Sequence, residues 1–251
     1  MSCFEDSAPY NELLSSAQTG PECEVLIHKT ISKFFGYTTL SHRWGTGEPS
    51  LRNIQGQNVY TLNHGEGLAK LQNFCILTLQ HDYIWAWSDT CCIDKDSSSE
   101  FHEAVGSMFS WYRRSALTIV HLSDVPDAMP FSNSVWFRRG WTLQELLASP
   151  SILFYSQDWS LYMNCTSPNH KTDSAILAEL QEVTGIGELH LKYFSPGMDD
   201  ARSRLQWAST RSTTRSEDSA YSLFGIFQVH LPVFYGETVE NALGRLLMEI
   251  V

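Results

Sequence analysis

Apolar positions along the chain change their period several times, and each change marks an element. Tyr37-Thr38-Thr39-Leu40-Ser41 follows Gly36 and is rich in β-branched and aromatic residues, which predicts a short core strand. Gly45, Gly47 and Pro49 then break the chain into a loop. Over 65–81, Leu68, Leu71, Cys75 and Leu79 recur at helical spacing, with Phe74 and Ile76 widening the face. Tyr83 to Trp87 follows as a buried strand. Strand, helix and strand in this order form a βαβ unit, which demands a parallel pair and a right-handed crossover.

The unit repeats. Ser97, Ser98 and Ser99 offer N-caps to a helix whose Ala104, Met108, Trp111 and Tyr112 share one face. Leu117 to Leu122 is a third strand with the near-absence of charge expected when both faces are covered. Pro126 and Pro130 mark a loop, Trp141 to Ala148 a short helix, and Ile152 to Tyr155 a fourth strand. Beyond about residue 160 the strand signal fades. Helical patterns take its place at Ile176–Val183, Ala201–Ser209, Asp218–Phe227 and Asn241–Val251, the last with no terminator, as in a segment cut from a longer chain.

The predicted fold is therefore α/β: a mainly parallel, flavodoxin-like sheet flanked by helices. An N-terminal extension covers 1–35, the α/β core 36–160, and a helical C-terminal part 161–251.

Composition narrows the function. A net charge of −11 gives no general attraction to nucleic acid or anionic lipid. No apolar run is long enough for a membrane span, and the first ten residues lack a signal-peptide core, so a cytoplasmic setting is expected. Six cysteines include only one close pair, Cys91-Cys92, and no Cys-x-x-Cys, so zinc is not expected and the thiols are read as reduced. Neither a G-x-G-x-x-G nor a P-loop pattern is present, which disfavours a Rossmann dehydrogenase or a P-loop ATPase.

Polar residues gather where the predicted strands end, the place open α/β sheets bind ligands. Ser41 ends the first strand, His42, Arg43 and Trp44 follow it, Asp89 follows the second, and Arg139 and Trp141 stand at the helix after the third, which also carries Glu145. Each has an ordinary alternative. Glu145 falls in the first turn of its helix, where the dipole favours an acid. Arg43 could pair with Asp89, Asp89 could cap a turn, Trp44 could be core, and Arg138-Arg139 could be a solvated basic pair. A Cys–His nucleophile from Cys91 or Cys92 with His42 lacks an oxyanion motif, and buried, inert thiols are the preferred reading.

Four segments in order resemble the fungal heterokaryon incompatibility (HET) family: Thr39 to Gly45, Trp87 to Lys95, Trp136 to Leu146, and Gln206 to Arg211 continuing to Tyr221–Ile226 and Tyr235–Glu237. That family is similar in architecture to TIR domains, and Trp141-x-x-x-Glu145 resembles the pattern that carries the TIR catalytic glutamate. The resemblance implies a programmed-cell-death effector that self-associates, works beside a nucleotide-binding sensor domain, and hydrolyses NAD to nicotinamide and ADP-ribose. Glu145 would then be catalytic, with Ser41, His42, Arg43, Trp44, Asp89, Arg139 and Trp141 around the nucleotide and no metal. Two other readings stay open: a non-catalytic assembly module, and a nucleotide sensor without turnover.

Overall fold

The computed structural model describes residues 6–15, 21–63, 65–126 and 129–250; Cys3 and part of the expected extension lie outside them. Four strands, β1 (Tyr37–His42), β2 (Trp85–Trp87), β3 (Leu117–His121) and β4 (Ile152–Tyr155), form one parallel sheet in the order β2-β1-β3-β4. The helices are α1 (Ala8–Ser15), α2 (Pro21–Phe35), α3 (Leu51–Ile54), α4 (Glu66–Gln80), α5 (Ser98–Arg114), α6 (Trp141–Ala148), α7 (Ser174–Thr184), α8 (Glu188–Tyr193), α9 (Ala201–Ser209), α10 (Asp218–Tyr221), α11 (Phe224–Phe227) and α12 (Val239–Ile250). The α/β class expected from the alternating pattern is what the chain adopts.

Strand periodicity sorts the side chains into two layers. Leu40, Leu117, Ile119, Leu153 and Tyr155 face α4 and pack with Leu71 and Phe74. Val120, Ile152 and Phe154 face the opposite way, with Ala104, Met108 and Tyr112 of α5 and Leu143, Leu146 and Leu147 of α6. Such a division follows from topology. The β1-to-β2 step runs one way along the sheet, and the next two steps run the other way. Crossovers of one hand therefore place α4 on one face and α5 and α6 on the other.

The two central strands carry buried hydroxyls that pair with one another. Thr38 meets Thr78 at 2.6 Å, Thr39 meets Thr118 at 2.8 Å, and Thr118 meets Ser149, just past α6, at 2.6 Å. These hydroxyls are therefore tolerated inside the sheet because each finds a partner.

Three expectations need correction. The second strand is shorter than Tyr83–Trp87 and is buried only at Trp87: it is the sheet edge, with Ile84 and Trp85 exposed. On α4 the inward face runs through Leu68, Lys70, Leu71, Phe74 and Thr78, while Ile76 and Leu79 are exposed. The helical pattern over 218–227 splits at Ser222-Leu223 into α10 and α11.

The sheet stops at four strands for a visible reason. The outward N–H groups of β4 are taken by side chains, Ile152 by Asn169 Oδ1 and Phe154 by His170 Nδ1, each at 3.1 Å. A fifth strand would have no free donors at these two positions.

The C-terminal helices pack into the core of the α/β part. Phe224, Phe227 and Leu246 belong to the same core cluster as Met108 and Leu143. Contact is closest at Gly225, where a Cβ would stand 2.2 Å from Cβ of Phe109 on α5. Gly225→Ala is expected to cost about 1–3 kcal/mol through overpacking. A thermal melt should show a lowered midpoint, and an unchanged midpoint would mean that the two helices can separate freely at this point.

Candidate functional site

At the switch point, where the chain leaves β1 and β3 towards opposite faces, a cleft of about 700 Å³ opens. That volume lies within the roughly 300–1,000 Å³ usual for small-molecule sites. His42 and Trp44 come to its wall from the end of β1, Asp89 from the end of β2, and Arg139, Trp141 and Glu145 from the start of α6. Two of the sequence-predicted residues do not line it. Ser41 stands behind Glu145, and the exposed Arg43 contributes its backbone carbonyl to Lys70 Nζ at 3.0 Å.

Glu145 is only 5% exposed and belongs to the second turn of α6, whose first turn holds no acid. The first-turn dipole preference therefore does not explain it. Its carboxylate accepts from Ser41 Oγ, and Ser41 Oγ accepts from Trp136 Nε1 at 2.8 Å. Because the indole can only donate, the serine proton is directed at the carboxylate. Burial pushes the Glu145 carboxyl up to about 8, reinforced by the charge of Asp89; Ser41 and Arg139 oppose the shift.

Asp89, half-buried, is raised to about 6 by burial, while Lys95 and the hydrogen bond from Trp44 pull the other way. That bond, Trp44 Nε1 to Asp89 Oδ2, is 2.9 Å long, and the Lys95 ammonium lies 3.7 Å from the centre of the Trp44 ring. The indole is fixed on edge and face while remaining 44% exposed.

His42 is held neutral: burial, then the positive charge of Lys70, drives its pKa well below the usual value. Both ring nitrogens are buried without a hydrogen-bond partner, as is Arg139 Nε. Glu48 Oε1 is 3.8 Å from His42 Nε2 but is engaged by Lys70. Unpaired buried donors and acceptors on a cleft wall are costly unless something fills the cleft.

The C-terminal part supplies the remaining wall. Gly140 N–H donates to Ser212 O at 2.8 Å and Ser212 N–H to Arg138 O at 2.7 Å, a bridge that lays 212–215 beside Arg139. Gly140 permits the approach, since a Cβ there would be 2.4 Å from Thr213 Cγ2. Arg211 stiffens the turn through 2.9 Å and 3.0 Å bonds to Arg139 O and Thr142 Oγ1. Asp218 accepts from Trp141 Nε1 at 3.0 Å and from Tyr235 Oη at 2.9 Å, so one carboxylate holds two rings. The sequence reading missed Lys95, Phe101, Arg215, Asp218 and Tyr235 as wall residues, although it had noted the segments that contain Lys95 and Tyr235.

Charge in the cleft departs from the acidic whole. Lys95, Arg139 and Arg215 bring three cations to it. With Glu145 protonated at neutral pH, only Asp89 and Asp218 oppose them. The site can therefore hold an anionic ligand despite the net charge of −11.

Cys91 and Cys92 do not line the cleft and make no bond to His42. They pair with each other: the Cys91 thiol is pushed up while Cys92 is pulled down to about 7 by their hydrogen bond. Cys75, Cys91, Cys92 and Cys165 are unbridged. Among the described residues no group of three or more His, Cys, Asp or Glu could hold a metal, and no helix is long and apolar enough to cross a membrane.

Residues 37–131 match the family model described as heterokaryon incompatibility protein (HET). The chain is also similar to the vegetative incompatibility protein HET-E-1 of Podospora anserina, 39% identical over 236 residues. That match covers 85% of this chain and 16% of the relative, so the chain spans about a sixth of the length of the protein it matches. No solved structure matches.

Proposed function

Because the chain belongs to the heterokaryon incompatibility family, we propose that it serves in fungal non-self recognition, and that it does so by splitting NAD into nicotinamide and ADP-ribose. What carries the enzymatic reading is Glu145, a buried carboxyl on the wall of a nucleotide-sized cleft, oriented by Ser41 and Trp136.

In this reaction the C1′–N bond breaks and its electron pair passes to the nicotinamide ring, which leaves neutral. No acid is needed for departure. The ribose becomes oxocarbenium-like, water adds to C1′, and the water's proton is released. An ionised Glu145 beside C1′ offsets the developing positive charge, the role carboxylates play in glycoside hydrolysis. Arg139 is suited to the diphosphate. Trp44, with Lys95 on one face of its indole, and His42, whose ring nitrogens have no hydrogen-bond partner, stand on the wall beside the same ligand.

The raised Glu145 pKa makes a pH prediction. The active form is the carboxylate, so kcat/KM should climb about tenfold per pH unit below about 8 and level off above it. In kcat the limb should lie at lower pH, because the cationic nicotinamide ring favours the ionised acid. A kcat/KM profile flat from pH 6 to 9 would contradict this assignment.

The central test is to cluster the protein through a bivalent antibody to a terminal tag, add NAD and measure nicotinamide and ADP-ribose. Equal release of both is expected. Tight NAD binding without nicotinamide overturns hydrolysis in favour of a sensor. Neither binding nor release favours a non-catalytic module that self-associates or answers to a nucleotide-binding sensor domain.

A further inference from the structure

The cleft is built differently at its two ends. One end gathers Glu145, Asp89 and the unpartnered His42 at the strand tips. Glu145 and Asp89 each feel the other's charge, and Arg139 acts on both. The other end is aromatic and comes from α5 and the C-terminal part. There Asp218 answers instead to Arg215 and Glu217.

At this second end the rings of Trp141 and Tyr235 are fixed before any ligand arrives, because their polar edges both bond to Asp218. Phe101 packs beside Tyr235 with ring centres 5.4 Å apart. The guanidinium of Arg215 lies 4.1 Å from the centre of the Tyr235 ring and 5.6 Å from that of Phe101. Arg215 is exposed, and among the described residues it forms no ion pair. A fixed ring with a planar cation on its face is a general arrangement for stacking a heteroaromatic base.

We infer that this aromatic end, with Arg215 on Tyr235, is the seat of the adenine half of NAD. The inference rests on the proposed NAD reading and fixes the direction in which the ligand lies. The position of Glu145 decides the direction. The proposed reaction puts Glu145 beside C1′ of the nicotinamide ribose, so the nicotinamide half takes the strand-tip end, and adenine, which is neutral and stacks on a guanidinium plane, takes the aromatic end. Arg139 belongs to both ends: its charge reaches Glu145 and Asp89, and its backbone pairs with Ser212 of the second wall. Arg139 lines the cleft between the two halves, where its guanidinium is placed for the diphosphate that joins them.

The test compares NAD with nicotinamide mononucleotide, which has the same scissile bond and no adenylate, in the full chain and in Arg215→Met. Wild type should prefer NAD through a lower KM. In Arg215→Met that preference, as a ratio of kcat/KM values, should fall roughly tenfold, the change appearing in KM for NAD. An unaltered ratio overturns the inference. Tyr235→Phe, which keeps the ring and loses only the bond to Asp218, should retain most of the preference; a loss as large as that of Arg215→Met would place the effect in the bond and overturn the stacking account.

If wild type releases nicotinamide from neither compound, the hydrolytic reading fails by itself and the subsite is read by calorimetry with AMP. Binding by wild type, about tenfold weaker in Arg215→Met, supports the adenine seat. No AMP binding, or equal binding by both proteins, removes it.

Discussion

Glu145→Gln should abolish nicotinamide release and at the same time make the protein harder to melt. The activity loss is expected at about 10²–10³-fold, the usual effect of removing one group that stabilises charge in the transition state. Stability moves the other way for an electrostatic reason. In the folded chain the carboxyl titrates near 8 rather than the ordinary 4.5, so the native state holds its proton more tightly than the unfolded state does. Stability is therefore fully present below about 4.5, declines as pH rises, and stops declining above about 8. Glutamine keeps an acceptor for Ser41 and carries no charge, so it escapes that decline. The variant should match wild type near pH 4.5 and exceed it by on the order of 2–4 kcal/mol above pH 8. Parallel melts at pH 5 and pH 8.5 check this. A variant that melts lower at both would make the acid a structural brace, and the enzymatic reading would lose its main support.

Lys171→Met should do the reverse, lowering stability sharply. Lys171 is buried beneath the C-terminal end of α6, where its Nζ donates to Leu146 O at 2.5 Å and Ser149 O at 2.7 Å. These carbonyls fall where a helix runs out of its own donors, so the amine acts as a cap delivered from elsewhere in the chain. Burial draws its pKa down to about 7, yet even the neutral amine keeps two N–H donors for the two carbonyls. Methionine fills similar space and donates nothing. Two buried acceptors left unpaired cost about 1–3 kcal/mol each, less what the apolar side chain gains. A net loss of roughly 2–4 kcal/mol should lower the midpoint by about 4–16 °C in a chain of this size. A drop under about 2 °C would show that the carbonyls find other partners. Together the two variants separate the helix as a carrier from the acid it carries.

Much of the fold was legible because it was local. The spans of α6, β4 and α9 follow from apolar period, with Gly140 and Pro150 bounding α6, and the structure keeps those spans. What failed was burial. Trp85 and Ile84 read as core by composition, but composition cannot tell an edge strand from a central one. Nor does helical spacing alone reveal that α4 turns Lys70 and Thr78 inward and leaves Leu79 outside. Lys70 is buried because Glu48 and the Arg43 carbonyl receive its charge, partners that lie 22 and 27 residues away.

The site was legible in the same uneven way. His42 and Asp89, at strand ends, could be found because parallel sheets present that edge to ligands, and Glu145 through the Trp141-x-x-x-Glu145 resemblance. Arg215, Asp218 and Tyr235 could not, since their place depends on the Arg139–Ser212 bridge between segments some seventy residues apart. No local period encodes such a pairing. Trp136 is visible in the sequence as part of a motif, but its task of turning the Ser41 hydroxyl towards Glu145 needs three segments in register.

That bridge also bears on how the molecule can be cut. The family match ends at residue 131, short of Arg139, Trp141, Glu145 and the entire 212–235 wall. A fragment trimmed to the matched stretch would keep β1, β2 and β3 but lose β4 and most partners of the Phe131–Trp136–Phe154 ring stack. It would be half a vessel, with Asp89 and His42 open to water and nothing opposite them. A ligand held in the proposed cleft needs a piece that extends at least to Tyr235.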